Sequence, residues 1–206
     1  HIYIRSWLAK LKDEDMTAKS INRKISSLRS FFKYAVKTGV IAQTPMTKII
    51  APKGEKRLPQ FVADKDMATL LNHVEFSPDW KGQTERLLIL LLYHTGMRLS
   101  ELIHLKESNV NFPGQALKVL GKGSKERILP MGKELMQEIK TYMEAKRDLK
   151  HLDPVPNLLV TEKGKPLAPR QVYTIVKNYL SLVTTIDKRS PHILRHTFAT
   201  HLMNNG

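Results

Sequence analysis

Arg98, Lys122, His192 and Arg195 stand in settings that suit work on a phosphate ester. Arg98 lies in HTGMRLSELIHL, where a solidly apolar run ends at Gly96 and a new helix is expected to open at Ser100, with Glu101 behind it. Glycine fits the left-handed position that closes a helix, and serine is a preferred first cap for the next. Arg98 is thereby held in a tight turn, and a fixed planar fork of donors suits a phosphate at little entropic cost. His192 and Arg195 occupy SPHILRHTFATHL, three apart on a helix opened by Ser190 and Pro191. Residues at i and i+3 share a face, so an imidazole and a guanidinium there address one anion together, and the helix N-terminus adds its own anion preference. Lys122 sits in GKGSK, a two-glycine turn between strands. A lysine at a hairpin tip often serves only to keep an edge strand soluble. The chemical alternative is an ammonium that protonates a leaving oxygen as a general acid. His192 and His196, with His201 beyond, also have metal-ligand spacing, but Ile193 stands where a metalloprotease helix needs glutamate, and the chain has no cysteine. No metal and no cofactor are therefore assigned.

The elements that must position these residues are mostly helical. HIYIRSWLAKLK reads as part of an amphipathic helix, and a second follows, capped by Thr17 or Ser20, with Ile21, Ile25, Leu28, Phe32 and Ala35 inward until Gly39. Its opposite face carries Arg23, Lys24, Ser27 and Lys37, a basic row suited to lying along DNA phosphates. TPMTKIIAPKGEKRLP interrupts the pattern, which places a helical domain at 1–52, a linker at 53–60 and a second domain at 61–206. In the second domain Asp64 is expected to cap a short helix, and a longer helix to run from about Gln83 to Thr95. ESNVNF, ALKVLG and ERILP read as a three-stranded antiparallel meander. A helix over 133–150, with Leu135, Ile139, Tyr142 and Met143 inward, a loop with a possible short strand, and helices at 170–182 and 191–204 complete it. The fold class is mainly α with a small antiparallel β-sheet, the second domain being α+β.

Thirty-four basic residues against 19 acidic ones give a net charge of +15 in 206 residues. Such an excess points to a polyanionic partner, most simply double-stranded DNA, through counterion release. Residues 1–57 hold 13 of the basic residues and only four acidic ones, so the first quarter of the chain carries +9 of that charge. The longest apolar run, Leu87–Leu92, is far shorter than the roughly 20 residues a membrane span needs, no secretory signal is visible, and the cytoplasm is the expected location.

Taken together, TGMRLSEL, GKGSKER and SPHILRHTFATHL resemble the boxes of the tyrosine recombinases, the phage integrase family, and within it the Xer-type enzymes. The resemblance covers nearly the whole chain. It implies a core-binding domain followed by a catalytic domain, and site-specific DNA integration and recombination through a 3′-phosphotyrosyl intermediate with no metal or cofactor. By it, Arg98 and Arg195 stabilise charge on the scissile phosphate, His192 assists proton transfer, Lys122 protonates the 5′ oxygen, and Glu101 orients Arg98. Family members work with other recombinase protomers as a tetramer on DNA. In the family the nucleophilic tyrosine lies downstream of the H-x-x-R helix, whereas Tyr3, Tyr34, Tyr93, Tyr142, Tyr173 and Tyr179 all precede it here. None matches the nucleophile, which implies a truncated chain unable to cleave by itself and monomeric in solution. The alternative reading is a non-catalytic DNA-binding protein with a recombinase-like fold.

Overall fold

The computed structural model describes residues 1–54, 60–121, 123, 125–149 and 155–205. Lys122 and most of the linker expected at 53–60 fall outside them. The chain divides into two compact units, residues 1–58 and 59–206.

In the first unit, α1 (Ile2–Asp13) and α2 (Ala18–Lys37) close a small core of Leu11, Ile21 and Ile25, to which Met46 and Ile49 contribute from the following segment. Thr17 caps α2, its hydroxyl accepting from the Ser20 amide. Asn22 and Arg29 donate to the carbonyls of Pro52 and Ile49 and so tie that segment to α2. Arg23 and Lys37 are exposed, as a basic outer face requires. Lys24 is half-buried on the flank, its ammonium 5.8 Å from the Trp7 ring centre, and the Ser27 hydroxyl donates to the Arg23 carbonyl, which spends its one proton within the helix.

The second unit is built around α4 (Trp80–Thr95). Leu87 to Leu92 are all buried, so this stretch of the helix is apolar on every side and runs through the core rather than along it. The helices α3 (Asp64–Asn72), α6 (Lys133–Asp148), α7 (Pro169–Val183) and α8 (Pro191–Asn205) contribute to the same core, as do Leu158 and Leu159 of the loop before α7. The strands β1 (Val110–Asn111), β2 (Ala116–Leu120) and β3 (Glu126–Pro130) form an antiparallel meander in sequence order, with Leu117 opposite Leu129 and Val119 opposite Arg127. Among the described residues no helix is long and apolar enough to cross a membrane.

Three helix starts differ from the sequence expectation, each because a carboxylate is used differently. The central helix begins at Trp80 because Asp79 accepts from the Gly82 amide, 2.8 Å away. Ala63, not Asp64, stands at the cap of α3, and the Asp64 carboxylate lies 2.9 Å from His201 Nδ1 instead. The short helix α5 (Leu99–Ile103) opens with Arg98 at the cap position in place of Ser100, since Glu101 reaches back to the Arg98 amide.

Candidate active site

The α4–α5 turn is fixed by Gly96. Its backbone is left-handed, with φ of 56°, and a methyl group there would lie 2.3 Å from Phe198 of α8. The position thus favours glycine on two independent grounds, the left-handed backbone and the close approach of the Phe198 ring. That close approach also brings α8 onto the turn, and the Arg195 guanidinium donates to the Gly96 carbonyl.

Glu101 organises the charges. Its side chain is 1% exposed, and its carboxylate accepts from the Arg98 main-chain N–H at 2.7 Å, from Arg98 Nη1 at 2.9 Å and from Arg127 Nη2 at 2.6 Å. The expected orienting role of Glu101 toward Arg98 is therefore visible in the geometry. Arg195 lies close enough to be part of the same cluster: burial chiefly, then the charges of Arg98 and Arg127, weaken its hold on its proton, while Glu101 opposes them. Two guanidiniums thus share one carboxylate, and a third, that of Arg195, lies within reach of their charges. Sequence reasoning missed Arg127; its signal is a charged residue on the inward-facing row of β3.

The connection from β2 to β3 starts beside this cluster at Gly121. The Gly121 amide donates to the Lys125 carbonyl at 2.8 Å. A methyl at Gly121 would lie 3.7 Å from Glu101 Oε1 and 3.9 Å from Arg98 Nη1.

One turn before Arg195, His192 is exposed, with its Nε2 2.9 Å from Nε2 of His196. A hydrogen bond between two imidazole nitrogens requires one donor and one acceptor, so one of the two facing nitrogens carries no proton. Burial, then His196 and Arg195, depress the His192 pKa below its ordinary 6.5. The shift favours the neutral imidazole. Because the folded value is the lower one, this group's contribution to stability is complete above about pH 6.5 and is lost as the pH falls through the depressed value. An NMR titration should place the His192 midpoint below 6.5, moving upward in His196→Ala; a midpoint at or above 6.5 in the parent contradicts this arrangement.

The remainder of α8 is pinned at depth. Thr197 accepts from the Val62 amide at 2.9 Å, and buried His201 donates from Nε2 to the Val62 carbonyl at 3.0 Å, which leaves Nδ1 facing the Tyr93 hydroxyl and Asp64. His201 is thus a structural tie for the helix that carries His192 and Arg195. Tyr142 bonds with Thr84 and burial pushes its phenol up to about 12, Tyr179 donates to Glu85 and is raised as well, and Tyr93 is held at His201. These three phenols are poor nucleophiles as they stand.

Residues 60–206 match the model of the phage integrase family, and residues 1–39 match that of the phage integrase N-terminal SAM-like domain. The chain belongs to the phage integrase family. Among its relatives, the tyrosine recombinase XerC of Staphylococcus saprophyticus is 36% identical, the match covering 98% of this chain and 68% of that protein. XerC of Chlorobaculum parvum is 32% identical over 98% of this chain and 66% of its own length. This family member thus spans about two thirds of the length of the curated relatives it matches. The fold is also that of a XerH site-specific recombinase bound to a palindromic difH substrate in a post-cleavage complex, with a TM-score of 0.77 at 20% identity, covering 99% of this chain and 61% of that one.

Proposed function

We propose that the protein is a site-specific DNA recombinase whose second unit cleaves and rejoins strands at the Arg98–Arg195 cluster. The observation that carries the reading is the excess of charge there. One buried carboxylate faces three guanidiniums, which leaves the pocket complementary to a phosphodiester and more so to the doubly charged transition state of attack upon it. Arg98 and Arg195 bind the non-bridging oxygens. A tyrosine oxygen attacks phosphorus, neutral His192 accepts the phenolic proton, and the P–O5′ bond breaks as the Lys122 ammonium gives its proton to the departing oxygen. The products are a 3′-phosphotyrosyl link and a free 5′ hydroxyl, and the bond energy retained in that link allows rejoining without a cofactor. The nucleophile is assigned to none of the six tyrosines in this chain. Likeness to Xer-type enzymes supports action with other protomers as a tetramer on double-stranded DNA in the cytoplasm, with boundaries at 1–52, 53–60 and 61–206.

The first unit grips the duplex through Arg23, Lys24 and Lys37, with Ser27 between them on the helix. Replacing the three cations by alanine should lower the slope of log K against log salt by about two to three, one for each phosphate no longer neutralised. Filter binding across a salt series measures it. An unchanged slope would make that face a solvated surface and nothing more.

A further inference from the structure

His192 and His196 stand one turn apart on the exposed side of α8, their ring centres 4.2 Å apart and their Nε2 atoms 2.9 Å apart. Among the described residues, the only hydrogen-bond partner of either ring is the other. A hydrogen bond accounts for that distance, and so does a shared ion. With zinc–nitrogen bonds of about 2.0–2.1 Å, two nitrogens on one ion stand about 2.9 Å apart at a right angle and about 3.3 Å at the tetrahedral angle. A small rotation about χ2, a soft torsion in histidine, covers that range.

The donors define the ion. Imidazole nitrogen suits zinc and copper, whereas magnesium takes oxygen ligands and keeps its water. His201 takes no part, because it is buried and bound to the Val62 carbonyl. Among the described residues no third histidine, cysteine or carboxylate joins the pair, so the ion's other positions fall to water or to a phosphate oxygen. The neighbouring Arg195 carries a like charge, which keeps the affinity modest.

We propose that His192 and His196 form a chelating site for a divalent transition metal, with zinc as the type case, and that filling it blocks strand cleavage. The metal takes the Nε2 lone pair with which His192 would accept the phenolic proton. Two metal–nitrogen bonds replace two metal–water bonds, each neutral ring keeps its single proton on Nδ1, and none is released. The site stands on its own geometry, and the block rests on the recombinase reading above.

Two measurements test it on the full gene product. Competition against a chromophoric chelator measures zinc binding by the parent, His192→Gln and His196→Gln. Each variant should hold this zinc about a hundredfold more weakly, since the second imidazole no longer binds as an intramolecular ligand. Cleavage of DNA bearing the protein's site is then timed in EDTA and in saturating zinc. Zinc should slow the parent about a hundredfold, as loss of a general base does, and EDTA should reverse it. Magnesium at the same concentration should have no effect, and His196→Gln in zinc should match its own rate in EDTA. Equal zinc binding by parent and variants overturns the site. Zinc bound by the parent without inhibition, or equal inhibition of parent and His196→Gln, overturns the block. A parent inert in EDTA refutes the recombinase reading instead and leaves the binding titration to decide the site.

Discussion

Arg195→Ala should leave the protein able to hold DNA and unable to cut it. Its guanidinium is tied to the Gly96 carbonyl, partly withdrawn from water, and flanked by Arg98 and Arg127. A donor fixed in that way needs no reorganisation when charge builds on the phosphate, and its removal is expected to slow cleavage by about a thousandfold or more. Binding should weaken by no more than about threefold, because Arg195 is one phosphate partner among many. Arg195→Lys should recover little, since an ammonium cannot both meet the Gly96 carbonyl and present a two-pronged grip on phosphate. Single-turnover cleavage beside filter binding on the same duplex separates the two effects. Normal cleavage by the alanine variant would remove Arg195 from the chemistry.

Glu101→Gln should be the most damaging conservative change in the second unit. The carboxylate is buried and is bound by both Arg98 and Arg127, so an amide of the same shape leaves their guanidiniums crowded with no counter-charge. Breaking a buried pair from one side costs about 3–5 kcal/mol, which for a unit of this size is a fall in Tm of roughly 10 °C. The loss should shrink in the presence of duplex DNA or high sulfate, since an anion then supplies the missing charge. A variant as stable as the parent would show that the arginines do not depend on Glu101.

Much of this site was legible in the chain because its parts obey local rules. Gly96 had to be glycine for the turn, Arg98 follows it, and H-x-x-R places two functional groups on one helix face whatever the surroundings. The meander, too, follows from its turns. Arg127 was not legible, because KERILP reads as a good exposed strand until Glu101 is known to lie beneath it. Asp64 was misread for a related reason: a carboxylate can serve a nearby amide or a distant partner, and only tertiary contacts decide which. His201 shows the same ambiguity, since the spacing that suggested a metal ligand serves a buried tie to Val62 and Tyr93. The central helix was placed three residues short because its first turn, WKGQ, is polar and the Asp79 cap that opens it went unread.

The most direct test of the central claim is a search for covalent protein–DNA adducts. The full gene product would be incubated in EDTA with fragmented genomic DNA from its source organism, denatured in SDS, and analysed for DNA that remains attached to protein. The expected result is an adduct that forms without divalent metal, is absent in Arg195→Ala, and on peptide mapping is borne by a tyrosine other than the six in this chain. Cleavage that requires metal and leaves no adduct, or an adduct formed equally by Arg195→Ala, would contradict it.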